Sequence, residues 1–438
     1  MKLPFLLAAT FLLISNCNGQ PEERFYAVFP KMQYLEDLDS LAAKLVSIHP
    51  SPFEFTGEAD FNERYQKLRD SVDEDTAFRE FIWMCSELVA SLNCGHTSLG
   101  WFNQEAKILP KKLMFPLEGK VIDGRLYVTD PLVNREVIRP GAEIFSINGV
   151  EVTTLVDRIY AHINSQGDNT TYKGLLMSSY LPYYVSYALD FPETFSVVVS
   201  GELDPVNLAA LSEYRPKPRI SPQAACQDNL CLEILKDQQT ALLTIRSFAY
   251  YGNKFPEYEA FIDRSFAEIE SKGIENLIID VRMNDGGPSY AAMHLLKYLF
   301  DSPFRYWSKT AFDDEAVEVY QPHANAFDGK LFVLMDGNCS STTPHFLSIF
   351  KQNRLGVLIG QEANGNHLTF GGQKWLELPN TKIKYCVGRN TYISSATNFD
   401  KRRGILPDHH VVQGIGDLLD AKDTVLDYVL EMVGSTGE

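Results

Sequence analysis

Asp336-Gly-Asn-Cys-Ser-Ser-Thr-Thr-Pro-His-Phe-Leu-Ser-Ile-Phe350 lies between two unlike patterns. Before it, Leu331-Phe-Val-Leu-Met335 is an apolar run of strand length and strand composition. Within it, Phe346, Ile349 and Phe350 recur at helical spacing, and Pro344 suits the first turn of a helix. Ser340 and Ser341 therefore fall on a tight strand-to-helix connection that begins at Gly337. A hydroxyl placed there meets the positive end of a helix and free backbone N–H groups, the surroundings an acyl-transfer nucleophile needs. A serine-rich N-cap that only satisfies those amides is the competing reading.

The same pattern repeats around it. Ala241-Leu-Leu-Thr-Ile245 reads as a strand, and 258–272 as a helix with Phe261, Ile262, Phe266 and Ile269 inward. Leu277-Ile-Ile-Asp-Val281 is apolar enough to be covered on both faces, and Arg282-Met-Asn-Asp-Gly-Gly287 leads from it into another helix. Val357-Leu-Ile359 follows as a strand, and the last helix, 423–433, turns Val425, Tyr428, Val429 and Met432 inward. Strands alternating with helices predict an α/β unit around a mostly parallel sheet.

Upstream the pattern changes twice. Leu35, Leu38, Leu41 and Leu45 form one helical stripe ended by His49-Pro50. Phe78, Phe81, Ile82, Cys85, Leu88, Val89 and Leu92 form a second, with Asp75 as its N-cap and Gly95 as a left-handed C-terminal cap. His96-Thr97 comes directly after, on a loop. Strand alternation then takes over, with a hairpin over 142–152 turning at Asn148-Gly149, a helical stretch over 154–188 and a closing strand over 195–199. The four prolines of 205–222 read as a linker.

The 438 residues leave room for two to four domains. A net charge of −17, with no Lys/Arg stripe, excludes a nucleic-acid partner. Residues 1–20 read as an export signal, because their apolar core is too short to span a bilayer. The ending Ile14-Ser-Asn-Cys17 resembles a bacterial lipobox, which would make Cys17 a lipidated first residue and the membrane a partner through that anchor. Of the other cysteines, Cys226 and Cys231 are close enough in sequence to pair, Cys339 reads as a small buried residue, and no spacing suits zinc.

Two strand-to-helix turns on one edge of a sheet can face each other. Gly286-Gly287 lets backbone amides approach a ligand, and with the N–H of Thr342 it would make a two-donor oxyanion hole beside Ser341. A plain turn is the alternative, since the P-loop lysine and the dinucleotide glycine pattern are both absent.

Asp280-Val-Arg-Met-Asn-Asp-Gly-Gly287, the serine turn and Gly404-Ile-Leu-Pro-Asp408 resemble the core of the C-terminal processing and tricorn-type serine proteases. Pro140-Gly141 with Ser146-Ile-Asn-Gly-Val150 resembles their PDZ-like domain, and Cys94-Gly-His-Thr97 their Gly/Ser-His-Thr. The similarity runs in the same order over nearly the whole mature chain. It implies a crotonase-like (ClpP/crotonase) α/β core over 229–438, a PDZ-like β domain with a helical insertion over 109–204, a linker over 205–228 and a helical region over 21–108. It also implies cleavage of peptides or unfolded protein tails without metal or cofactor.

Carried over residue by residue, the resemblance puts the nucleophile at Ser341, with Ser340 as the open neighbour. Gly287 and Thr342 would be the oxyanion donors, with Gly286 beside them. The processing branch takes its base from a Gly-Lys pair, but that place is Gly365-Asn366 here. The tricorn-type branch uses the histidine that matches His96, oriented by an acidic residue whose nearest counterpart is Asp400. Pro344 stands where a glutamate is usual, and Asn338-Cys339 is atypical. The expectation is thus an exported, lipid-anchored serine endopeptidase of a Gram-negative-type periplasm or cell surface. The alternative is an inactive binding protein for peptides or lipophilic ligands on the same scaffold.

Overall fold

The computed structural model describes residues 24–100, 112–215, 226, 228–235, 239–308 and 318–435. The export signal and Cys17 lie outside the described residues, as does the expected boundary at 108.

Three helices open the chain: α1 (Lys31–Ile48), α2 (Glu58–Asp70) and α3 (Phe78–Ala90). Both expected stripes are buried, Leu35 to Leu45 on α1 and Phe78 to Leu92 along and just past α3. The caps of α3 differ from expectation. Ala77 stands at the N-cap, and its backbone N–H donates to Glu80 Oε2 at 3.2 Å, so the side chain three residues on replaces the Asp75 cap. At the other end the left-handed residue is Asn93 (φ 50°), because the helix stops at Ala90 rather than at Leu92.

The next unit is a six-stranded antiparallel sheet: β1 (Glu118–Ile122), β2 (Arg125–Asp130), β3 (Glu143–Ile147), β4 (Val150–Glu151), β5 (Thr194–Val199) and β6 (Val206–Ala209). The hairpin turns at Asn148-Gly149, both left-handed as a two-residue turn requires, and pairs Ile147 with Val150. Its second arm is only two residues long, since Val152 already starts a helix. That helix and the two after it are α4 (Val152–Tyr160), α5 (Thr171–Ser179) and α6 (Leu181–Ala188). The expected linker is shorter than its prolines suggested. Residues 206–209 form β6 on the edge of the sheet against β5, where a preceding proline removes no ladder bond, and Tyr214 is buried in the helical core.

The third unit holds β7 (Leu230–Ile234), β8 (Thr240–Ile245), α7 (Phe255–Ser271), β9 (Asn276–Asp280), α8 (Ser289–Leu296), β10 (Phe304–Arg305), β11 (Val319–Tyr320), β12 (Lys330–Met335), α9 (Thr342–Gln352) and β13 (Val357–Gly360). It continues with β14 (Leu368–Gly371), β15 (Lys374–Glu377), β16 (Lys384–Val387), β17 (Asn390–Ile393), β18 (His409–His410), α10 (Ile415–Leu419) and α11 (Thr424–Ser435). Its main sheet runs β18-β13-β12-β9-β8-β7, parallel throughout except for β7. Leu331, Val333 and Met335 face one core with Leu277 and Ile279, while Phe332, Leu334 and Ile278 face a second core closed by Val425 and Val429 of α11. This period of two, apolar on both sides, is what a sheet covered on both faces requires. A disulfide joins Cys226 to Cys231.

Two ribbons tie the front of the chain to this core. β14 pairs with β17, and β15 pairs with β16. Leu368, Phe370, Ile383, Tyr385 and Val387 from these ribbons share one core with α1 and α3. Buried Asp37 of α1 accepts the backbone N–H groups of Asn380 (2.8 Å) and Thr381 (2.7 Å). The helical region is therefore part of the same packed body as the ribbons. No described helix is long and apolar enough to cross a membrane.

Candidate active site

The serine turn forms where β12 ends. Asp336 Oδ1 accepts the N–H groups of Asn338 (2.9 Å) and Met283 (3.1 Å), which folds the turn and holds it against the turn that follows β9. Asn284, fully buried, makes the second link. Its carbonyl accepts the N–H of Ser340 at 3.1 Å, its Oδ1 accepts Thr343 Oγ1–H at 2.9 Å, and its Nδ2 donates to the carbonyl of Ile245 at 3.0 Å. Cys339 is buried beneath, its thiol donating to the carbonyl of Val281 at 3.1 Å, which fits the expected packing role.

Ser341 is the N-cap of α9, with φ 61° and ψ −115°. A non-glycine residue in that region carries strain on the order of 1–3 kcal/mol, held by the bonds around it. Its neighbour Gly286 explains why no side chain is tolerated opposite. At φ +97°, an added Cβ would lie 2.6 Å from Ser341 Cβ and 2.9 Å from the amide nitrogen of Thr342. The N–H of Gly286 is taken by Asn284 Oδ1 at 2.9 Å, which leaves Gly287 as the donor of that turn. Thr342 is the first residue of α9, so its amide has no intrahelical acceptor. Its hydroxyl donates to the carbonyl of Gly287, locking the two amides into one frame.

Ser340 points elsewhere. Its Oγ accepts Asn364 Nδ2 at 3.1 Å, and Asn364 Oδ1 in turn accepts the N–H of Gln166 at 3.0 Å. Of the two serines, only Ser341 lines the cleft of about 530 Å³ that also holds His96, Gly286, Gly287, Thr342 and His345.

His96 reaches that cleft because its loop is pinned on both sides. Ser98 exchanges two backbone bonds with Cys386 (3.1 and 2.8 Å), and Asn164 Nδ2 donates to the carbonyl of Gly95 at 3.1 Å. The protein packed around the imidazole pushes it from 6.5 down to about 4. Its Nδ1 is buried and makes no hydrogen bond among the described residues. Asp400 is not brought to it. That residue is exposed on a surface turn, where its Oδ1 accepts the N–H of Arg402 at 2.9 Å. The reason is local: Asp400 begins a turn that closes on Arg403, whose N–H returns to its carbonyl.

Asn366, at the place of the lysine, is likewise turned away from the cleft. Fully buried, it donates to the carbonyls of Asp400 (3.2 Å), Lys401 (2.8 Å) and Arg403 (2.7 Å) and accepts the N–H of Leu368 at 2.9 Å. It clamps a loop. Asn366→Ala is expected to lower stability by on the order of 2–4 kcal/mol, since it removes four hydrogen bonds that hold the loop. A chemical-denaturation midpoint unchanged from wild type would refute that role.

Sequence reasoning passed over His345. It lies four residues after Ser341 on the first turn of α9, is buried, and lines the cleft with its Nε2 unbonded among the described residues. Burial, then His367 and His96, push its imidazole down to about 3. The i, i+4 spacing from the serine was the available signal. Trp307, Tyr251, Tyr290 and Tyr392 add aromatic walls.

Residues 239–411 match Peptidase family S41. Those residues form a Peptidase family S41 domain within the chain. No curated protein matches the chain in sequence. Among solved structures, the chain is similar to mature CPAF complexed with lactacystin, at 14% identity and TM-score 0.62, covering 92% of this chain and 97% of that one. A crystal structure of mature CPAF gives 14% identity and TM-score 0.59, covering 89% and 94%. A putative peptidase from Parabacteroides merdae gives 12% identity and TM-score 0.48, covering 91% and 96%. The mixed α/β fold of this chain is thus similar to that of mature CPAF over 92% of its length.

Proposed function

We propose that this chain is an exported serine endopeptidase that cleaves peptides or unfolded protein tails through an acyl-enzyme on Ser341. The observation that carries the reading is the strained Ser341 at the N-terminus of α9, sharing one cleft with His96 and the amides of Gly287 and Thr342. In this mechanism neutral His96 takes the proton from Ser341 Oγ as that oxygen attacks the scissile carbonyl carbon. The carbonyl oxygen becomes an oxyanion and accepts the N–H groups of Gly287 and Thr342, with the positive end of α9 behind them. Protonated His96 then gives its proton to the leaving amine, and a water molecule repeats the sequence to release the acid. The parallel-sheet unit would be the crotonase-like core of the family. The six-stranded unit would be its PDZ-like domain, receiving the peptide. Lipidation at Cys17 would hold the protein at a membrane.

One observation favours a second reading. His96 Nδ1 has no bonded partner among the described residues, whereas a working serine–histidine pair ordinarily has a third group fixing the tautomer. On that reading the cleft, walled by four aromatic rings, binds a peptide or lipophilic ligand without cutting it. Incubation of the purified protein with casein and with a panel of unstructured peptides, followed by mass spectrometry, separates the two. New termini that are absent with Ser341→Ala support the peptidase; intact peptides bound with measurable affinity support the binding protein.

A further inference from the structure

On the far side of α8 from its glycine turn, a second group of side chains converges. Asp263 of α7, His294 of α8 and His323, on the loop after β11, place one nitrogen or oxygen donor each within 4.8 Å of one another. His294 Nε2 lies 2.7 Å from Asp263 Oδ1, and the hydroxyl of Tyr298 donates to that same oxygen at 2.7 Å. His323 stacks on the Tyr298 ring with centroids 4.2 Å apart, and its Nε2 is buried with no hydrogen-bond partner among the described residues. Glu259, one helical turn before Asp263, brings Oε1 to 4.0 Å from His294 Nδ1.

A buried imidazole nitrogen without a partner costs free energy unless something occupies it. Hydrogen bonding within the cluster accounts for His294 and Asp263 but leaves His323 out. Its loop is nonetheless anchored: the N–H of His323 donates to the carbonyl of Lys297 and that of Phe327 to the carbonyl of Tyr298, both at 2.8 Å.

We propose that Asp263, His294 and His323 form a binding site for a divalent transition-metal ion of the zinc class. Two imidazoles and one carboxylate are the donor set such an ion takes, whereas calcium and magnesium prefer oxygen donors throughout. Metal–ligand distances of about 2.0–2.2 Å are reached by side-chain shifts of about an ångström, with water as the fourth ligand. The ion would take the place of the hydrogen bond between His294 Nε2 and Asp263 Oδ1. Tyr298 stays on the carboxylate and orients it, as outer hydrogen bonds to metal ligands do. The ion would join α7, the loop and α8, and α8 begins directly after the Gly286-Gly287 turn. It therefore acts as a clamp on the element that carries the oxyanion turn, from outside the cleft.

The test is isothermal titration of ZnCl₂ into the chelator-stripped full chain, compared with His323→Gln, Asp263→Asn and His345→Ala. One zinc per chain is expected, with affinity falling at least about tenfold in each of His323→Gln and Asp263→Asn and unchanged in His345→Ala. Two variants are used because Asp263→Asn keeps an acceptor for Tyr298, so at least one should fold as wild type by thermal melt. The proposal is overturned if stripped wild type takes up no zinc. It is equally overturned if zinc binding survives in folded His323→Gln or Asp263→Asn, or is lost in His345→Ala, which would place the ion in the cleft.

Discussion

His96→Ala is expected to lower turnover by about 10³-fold or more while leaving the thermal melt close to that of wild type. The loop that carries His96 is held by its backbone bonds to Cys386 and by Asn164, none of which involves the imidazole. The pH profile gives a second readout. A base must be neutral to accept a proton, so activity is full above the apparent pKa and falls as pH drops through it. Burial lowers the His96 imidazole to about 4, while its opening onto the cleft keeps some hydration. The acid limb of kcat/KM should therefore lie between about 4 and 6.5, not in the neutral range that an unperturbed imidazole would give. His345→Ala should cost far less and leave that limb in place. If folded His96→Ala keeps near-wild-type turnover and His345→Ala loses it, the base is on α9 instead.

Ser341→Ala should abolish turnover altogether, because no other hydroxyl occupies the strained cap position. Ser340→Ala should retain most of it, since that hydroxyl is bound to Asn364 outside the cleft. Loss of the Ser340–Asn364 bond is expected to cost about 1 kcal/mol of stability, with little effect on the chemistry. Comparable losses of turnover in both variants, with both folded, would mean that the turn acts as a unit and that the assignment to Ser341 is wrong.

The serine turn was legible in the sequence because its physics is local. An apolar run, a glycine, and a proline in the first helical turn leave few alternatives for residues 331–350. The two-sided burial of 277–281 was legible for the same reason. Long-range partners were not. Nothing near Asp400 in sequence reveals that its carboxylate turns back on Arg402, or that Asn366 spends its hydrogen bonds on three carbonyls of that same turn. The acidic residue expected beside His96 was placed by alignment alone, and the fold does not bring it there. His345 was written in the decisive stretch itself, yet a histidine inside a helical stripe reads first as packing. The prolines around 205–222 masked β6, since an edge strand tolerates a proline at its start.

The central claim is that Ser341 is a nucleophile activated in this cleft. It is tested most directly by reacting the purified protein with a fluorophosphonate and mapping the adduct by tandem mass spectrometry. The expected result is a single adduct on Ser341, absent in Ser341→Ala and formed much more slowly in His96→Ala. An adduct on Ser340, or no adduct in folded wild type at any pH from 5 to 9, would contradict it.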